Sequence, residues 1–214
     1  IRNYAEAEAT LRMPSMASGR VSVEFHAQQL HAPAVAFFGV GNDSARSERR
    51  SFGLDQSTAG TTVRADLTGL VAVGGGLDWI QTDTSGRAAD QVLTPLAPTY
   101  ARSAAFAEFD WRTSPGYTRR GGFYRLDLAS YDQVNGDTQG FRRMDAEVQQ
   151  FVPLGRESQV LALRAVASAT FADSGSTVPF FLLPDLGGPN ALRGYSNWRF
   201  RDRNRLLLTG EYRW

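Results

Sequence analysis

The stretch of sequence that decides the fold is residues 161–171, Leu-Ala-Leu-Arg-Ala-Val-Ala-Ser-Ala-Thr-Phe. Every odd position is apolar, and the polar residues Arg164, Ser168 and Thr170 all lie at even positions. Because successive side chains of a β-strand point to opposite faces, this alternation predicts a strand with one apolar and one polar face. The run is also longer than a usual globular strand of about five or six residues.

The same two-residue period recurs along most of the chain. It covers residues 5–12, 20–28, 62–67, 71–79, 102–112, 124–128, 143–152 and 205–214. Nine strands are therefore predicted, whereas single-chain bacterial membrane barrels have even strand numbers. Either residues 192–203 supply a tenth strand or the barrel is incomplete, and the abrupt start at Ile1 favours a fragment.

The predicted connections alternate between short and long. The short ones lie at 14–19, 67–69, 114–119 and 153–156, and the long polar ones at 32–48, 82–99, 133–140 and 173–203. Short turns at one rim and long loops at the other are typical of a transmembrane β-barrel.

Two all-β architectures compete at this point. In a soluble sandwich or lipocalin-like barrel the apolar face points inward, whereas in an outer-membrane barrel it meets lipid. Aromatic residues towards the strand ends, such as Trp79, Trp111 and Phe171, resemble interfacial girdles. Charges of both signs on neighbouring strands would pair across a lumen. These features favour an antiparallel transmembrane barrel.

Composition excludes several classes of function. The 23 basic and 22 acidic residues nearly cancel, which gives no electrostatic basis for a nucleic-acid partner. The chain has no cysteine, so thiolate metal sites are excluded, and mean hydropathy is negative. His26 and His31 are the only histidines, which is too few for a metal site or for a lipase-like centre. We expect no cofactor, no metal and no catalysis.

The segment before the last strand carries a resemblance to a known family. Gly187-Gly188, then Leu192-Arg193-Gly194-Tyr195, then a strand ending in Glu211-Tyr212-Arg213, resembles the bacterial surface-antigen barrel of BamA/TamA-type assembly factors and two-partner secretion transporters. Residues 37–44, Phe-Phe-Gly-Val-Gly-Asn-Asp-Ser, also resemble a sequence common in these barrels. The resemblance covers the whole chain in pattern and about 30 residues in motif.

The resemblance implies a barrel of sixteen strands with a long extracellular loop folded into the lumen. Residues 1–214 would then be one outer-membrane barrel domain, a fragment of nine or ten strands that lacks N- and C-terminal strands. An aspartate motif on the strand after Glu211 has no counterpart, because the chain stops at Trp214. Trp214 equally fits the terminal aromatic residue of an outer-membrane protein, which would make that end natural.

By this resemblance four residues form a loop lock: Arg193, Gly194, Tyr195 and Glu211. A guanidinium can hold carboxylates with its fork of donors, and the strand alternation places Glu211 on the polar face. Gly194 would supply a tight turn and a close backbone approach, and Gly187 and Gly188 would permit the loop to fold back. An exposed arginine in an ordinary loop is the alternative.

The glycine run Gly74-Gly75-Gly76 lies inside a predicted strand and precedes no helix, so a phosphate-binding loop is excluded. We expect a kink or a close approach to the lumenal loop there.

The function implied by the resemblance is insertion of outer-membrane proteins or polypeptide transport in the bacterial outer membrane. The expected partners are outer-membrane lipid, unfolded outer-membrane or secreted polypeptides, and periplasmic accessory domains, with no nucleic acid. A passive pore or a structural surface barrel on the same scaffold is the alternative, and a soluble lipid-binding barrel is a third.

Overall fold

The structure is a computed structural model that describes residues 4–85 and 96–214. Nine long strands form one sheet: β1 (Ala5–Met16), β2 (Val21–Phe37), β3 (Arg50–Asp66), β4 (Val71–Ser85), β5 (Thr99–Asp110), β6 (Gly121–Gln133), β7 (Phe141–Leu154), β8 (Arg156–Ala172) and β11 (Asn204–Arg213). Two short strands, β9 (Asp185–Leu186) and β10 (Phe200–Arg201), pair with each other inside the last long loop. Two 3₁₀ turns, Arg46–Glu48 and Phe180–Leu182, complete the described elements.

Each long strand pairs antiparallel with the next in the chain, and β11 pairs with β8. The order is linear, so β1 and β11 lie at the two edges of the sheet in the described part of the chain. The prediction of an all-β antiparallel partial barrel is confirmed. Residues 192–203 hold only the two-residue strand β10, so the tenth spanning strand considered above is not formed.

The two faces of the sheet differ as the alternation predicts. We call the face covered by the loop after β8 the inner face and the opposite one the outer face. Large apolar side chains stand exposed on the outer face, among them Leu77 at 64% and Leu208 at 69% exposure. Their neighbours one position along, Asp78 and Leu207, are buried on the inner face. An apolar surface that is exposed strand after strand indicates contact with lipid.

The connections fall into two sets, as expected. Residues 17–20, 67–70 and 155 make the short turns at one rim, and 38–49, 134–140 and 173–203 make long loops at the other. The β5–β6 connection, 111–120, belongs to the short-turn rim. Of the predicted loop 82–99, residues 82–85 continue β4 and 86–95 lie outside the described residues.

The glycines of β4 make room for a side chain and not for the loop. A Cβ at Gly74 would overlap the Val63 carbonyl and the Phe106 ring, so an aromatic residue from the adjacent strand fills this space. The lumenal loop does not approach Gly74 as expected, because the Phe106 ring packs there instead.

In the described residues no helix is long and apolar enough to cross a membrane.

Contact of the outer face with lipid can be tested by placing a charge on it. Leu208 lies near the middle of β11, so Leu208→Arg should lower the free energy of unfolding in lipid vesicles by about 2–4 kcal/mol. Leu206→Arg, on the same face but nearer the long-loop rim, should cost less because charge is tolerated towards the interface. Urea titrations of the full chain in vesicles measure both, and equal small losses would contradict a lipid-facing surface.

Candidate functional site

The inner face of the sheet is lined with charges that pair between strands. Glu108 on β5 accepts from Arg64 Nη2 on β3 at 2.8 Å and from Arg125 Nη1 on β6 at 3.2 Å. Arg125 also binds Asp127 with two hydrogen bonds, at 2.8 and 2.7 Å. One carboxylate thus joins three strands, as the mixed signs of the sequence indicated. The charges of this group compensate one another on the inner face.

A second ionic group lies nearer the long-loop rim. His26 Nε2 on β2 lies 2.8 Å from Asp78 Oδ1 on β4, and Arg102 on β5 contacts the other oxygen of the same carboxylate. The His26–Asp78 pair spans β3 at Gly60, where a Cβ would overlap both partners. His26 is thus a hydrogen-bond partner of Asp78 in this structure. His31 lies on the outer face, with Nδ1 2.5 Å from Asp55. No group of three potential metal ligands occurs in the described residues.

The Asp78 group continues towards the last long loop through an aromatic side chain. The guanidinium of Arg102 lies over the Tyr131 ring at 5.6 Å, and that of Arg143 on β7 lies over the same ring at 5.5 Å. Arg143 then donates to the carbonyl of Leu182 in the loop. A continuous chain of polar and cation–π contacts therefore connects β2 with the loop.

The loop enters the inner face through an apolar segment, residues 178–183, which we call the apolar arm. Phe180 packs on Phe37 and Phe52, with ring centroids 5.0 and 4.7 Å apart. Phe181 and Leu183 join the same buried cluster. Val178 and Leu182 contact a second aromatic cluster on β4 to β7, formed by Ile80, Tyr100, Tyr131 and Phe141. The arm therefore lies across the inner face of the sheet, from β2 to β7.

Arginines bind backbone carbonyls of the arm and of the residues just after it. Arg201 Nη1 donates to the Phe180 carbonyl at 3.0 Å, and Arg205 Nη1 on β11 donates to the Asp185 carbonyl at 3.1 Å. With the Arg143 bond, three guanidiniums satisfy three loop carbonyls. A buried carbonyl without a partner is costly, so these bonds stabilise the arm in its irregular path. Burial lowers the pKa of Arg201 from its ordinary value, and the nearby Asp185 opposes that shift.

The returning part of the loop contacts the long loop between β2 and β3. Arg199 donates to the Ser44 hydroxyl at 2.9 Å and to the Ser44 carbonyl at 2.6 Å. Its guanidinium also lies 4.9 Å from the centroid of the Phe38 ring. The Gly41 amide donates to the Arg201 carbonyl at 2.8 Å. The segment 37–44, noted for its resemblance, is therefore the docking partner of this loop.

The structure places the predicted fold-back glycines at a backbone reversal. Gly187 has φ +141° and Gly188 has φ +81°, and added Cβ atoms would overlap Ser196 and Asn197. The Gly188 amide donates to the Tyr195 carbonyl at 2.9 Å, which closes the reversal. Side chains would be strained at both positions.

The residues predicted as the loop lock lie further out. Arg193 Nη2 is 3.6 Å from Glu211 Oε1, and the Arg193 side chain is 81% exposed. Glu211 accepts its hydrogen bonds from Arg213 instead, at 2.9 and 3.3 Å. The Tyr195 ring is 5.2 Å from that of Phe200. A Cβ at Gly194 would meet no atom within 4 Å, so the close approach expected there is not present.

Sequence reasoning missed the residues that bury the loop. These are Phe180, Phe181, Leu183, Arg143, Arg199, Arg201 and Arg205. A usable signal was present: residues 178–183, Val-Pro-Phe-Phe-Leu-Leu, are apolar without alternation inside an otherwise polar loop. A continuous apolar run that is too short for a spanning strand indicates a buried loop segment.

Comparison with known proteins agrees with this architecture. No curated protein sequence matches the chain. Among solved structures, the crystal structure of BamA from Haemophilus ducreyi lacking POTRA domains 1–3 is similar in fold, with a TM-score of 0.70 at 12% sequence identity. The match covers 90% of this chain and 38% of that chain.

The sequence pattern of the Omp85 superfamily domain matches residues 3–212, which is nearly the whole chain. The loop on the inner face lies within this range, and so do the nine strands apart from Arg213, the last residue of β11. The resemblance drawn from the loop and the last strand is confirmed, and with it the location in the bacterial outer membrane. The chain belongs to the Omp85 superfamily of outer-membrane β-barrels.

Proposed function

We propose that this barrel inserts other outer-membrane proteins into the membrane or passes polypeptides across it, without catalysing a covalent reaction. Membership of the Omp85 superfamily and the BamA-like fold support this function. Its partners would be unfolded outer-membrane or secreted polypeptides and periplasmic accessory domains. A passive pore is the competing function. The two functions differ in whether the lumen is obstructed or open at rest.

The observation that carries the proposal is the burial of the apolar arm on the inner face. Phe180 and Phe181 are 6% and 8% exposed, although they belong to a connecting loop. The guanidiniums of Arg143 on β7 and Arg201 on β10 bind the backbone of the same segment. A loop that is held this way obstructs the lumen, which suits a barrel that acts on polypeptides better than an open channel.

We assign the loop lock a secondary part in holding the loop. The Arg193–Glu211 pair is long and exposed, and such pairs contribute about 0–1 kcal/mol. Burial of a phenylalanine contributes more, since Phe→Ala in a core costs about 3–5 kcal/mol. The arm would therefore hold the loop, and Arg193 with Glu211 would limit the movement of its tip. The reversal at Gly187 and Gly188 carries the tip back to β11.

The insertion function is tested by reconstitution of the full-length protein in liposomes. We expect an added unfolded outer-membrane protein to fold faster than in empty liposomes, measured by its heat-modifiable mobility in gel electrophoresis. Liposomes that contain an unrelated porin serve as the control. Equal folding rates in all three preparations would exclude the insertion function and leave transport or a passive pore.

The obstruction of the lumen is tested by conductance of the full-length protein in planar bilayers. The wild type should show low conductance, and Phe180→Ala should produce large openings because the arm loses its packing on Phe37 and Phe52. Phe171→Ala is the matched control, since Phe171 is an outward-facing phenylalanine that is 57% exposed. Large steady currents from the wild type would contradict the proposal and favour the passive pore.

The role of the loop lock can also be tested by conductance in planar bilayers. Arg193→Ala should give brief openings that are rarer than those of Phe180→Ala, because only the exposed pair with Glu211 is lost. Glu211→Gln should behave in the same way, and the double variant should add little to either single change. If both single variants are indistinguishable from the wild type, the lock has no role in holding the loop.

A further inference from the structure

The outer face of the sheet carries a furrow between β5 and β8 with a volume of about 560 Å³. Small side chains, Ser103 and Ala105, face outward on β5. The larger Leu128, Met144 and Phe171 stand exposed on β6, β7 and β8. The furrow is therefore an apolar depression in the surface that meets lipid.

One cation lies at the end of this furrow. Arg142 is the second residue of β7 and pairs in register with Ser130 on one side and Phe171 on the other. It also lines the furrow and is exposed. The position is next to the β6–β7 connection, 134–140, and hence at the long-loop rim.

Arg142 is exceptional among the strand arginines. Arginines on the sheet strands lie on the inner face wherever their side chains are described, with Arg142 as the exception. Within residues 4–85 and 96–214 it makes no hydrogen bond or ion pair with the protein. An unpaired guanidinium on a lipid-facing surface is costly at the bilayer centre and tolerated near the interface, where headgroups supply anions.

We propose that Arg142 and the furrow form a binding site for one phosphate-bearing lipid of the long-loop leaflet. The guanidinium binds the headgroup phosphate with charge-assisted hydrogen bonds, and an acyl chain lies along Ser103, Ala105 and Leu128. The site faces away from the lumen and its loop, so it is independent of the proposed function.

Asp132 lies on the neighbouring strand β6 and also faces outward near this rim. It accepts from the Ser130 hydroxyl at 3.2 and 3.3 Å and does not line the furrow. Its carboxylate repels an anionic headgroup, so the two charges should have opposite effects on lipid binding. Arg142→Gln and Asp132→Asn each remove one charge and keep a polar side chain, which gives a matched pair of variants.

The test is native mass spectrometry of the full chain in detergent, titrated with dioleoyl phosphatidylglycerol and with dioleoyl glycerol, which lacks the phosphate. The wild type should retain the phospholipid, and Arg142→Gln should weaken its binding at least about tenfold, as expected for loss of a charge-assisted bond. Arg142→Lys should restore part of the affinity, and Asp132→Asn should not weaken binding. Heat-modifiable electrophoresis shows that each variant is folded.

The furrow is tested independently by Ala105→Phe, which fills it from the outer face. This variant should weaken the binding of both lipids, whereas Arg142→Gln should leave dioleoyl glycerol unaffected. Unchanged phospholipid binding in Arg142→Gln would overturn the proposal, as would equal losses in Arg142→Gln and Asp132→Asn. Unchanged binding in Ala105→Phe would remove the furrow from the site.

Discussion

The interaction on which the rest of the structure depends is the backbone hydrogen-bond ladder between neighbouring strands. In hydrocarbon no water can satisfy an amide or a carbonyl, so each spanning strand must take its partners from the strands beside it. Here the ladder runs from β1 to β8 and on to β11. Its register also fixes which side chains meet lipid, since a slip of one residue would turn Arg64 and Arg125 outward.

The inner face follows from this constraint because most of the charged residues of the strands lie there together. Where the loop does not cover the inner face, arginines form hydrogen bonds with carboxylates, as around Glu108. Where the loop lies, arginines bind backbone carbonyls instead, as Arg143 and Arg205 do. Irregular backbone at membrane depth is tolerated only when protein groups satisfy it. The loop and the inner face therefore depend on each other.

This dependence gives a physical basis for the function we propose, in which the barrel is obstructed at rest but able to change. The loop rests on packing of a few aromatic rings and on single hydrogen bonds to carbonyls, with an exposed pair at its tip. Such contacts can be exchanged for contacts with a polypeptide without breaking the ladder of the wall. The outer face has the opposite requirement, which is why an outward arginine such as Arg142 calls for a ligand from the membrane.

The sequence by itself determined the strands, their faces and the rim that carries the long loops. These properties are local, because the alternation of apolar and polar residues over a few positions, as in 161–171, indicates which environment each face of a strand meets. The positive φ angles of Gly187 and Gly188 are also a local property, because glycine adopts such angles more readily than other residues. The partners of Phe180, Arg199 and His26 were decided by the tertiary structure alone. Phe180 meets Phe37 and Phe52, and Arg199 meets Ser44, from strands and loops far away in the chain. No periodicity encodes such contacts, because they exist only once the sheet has curved and brought its distant residues to one inner face.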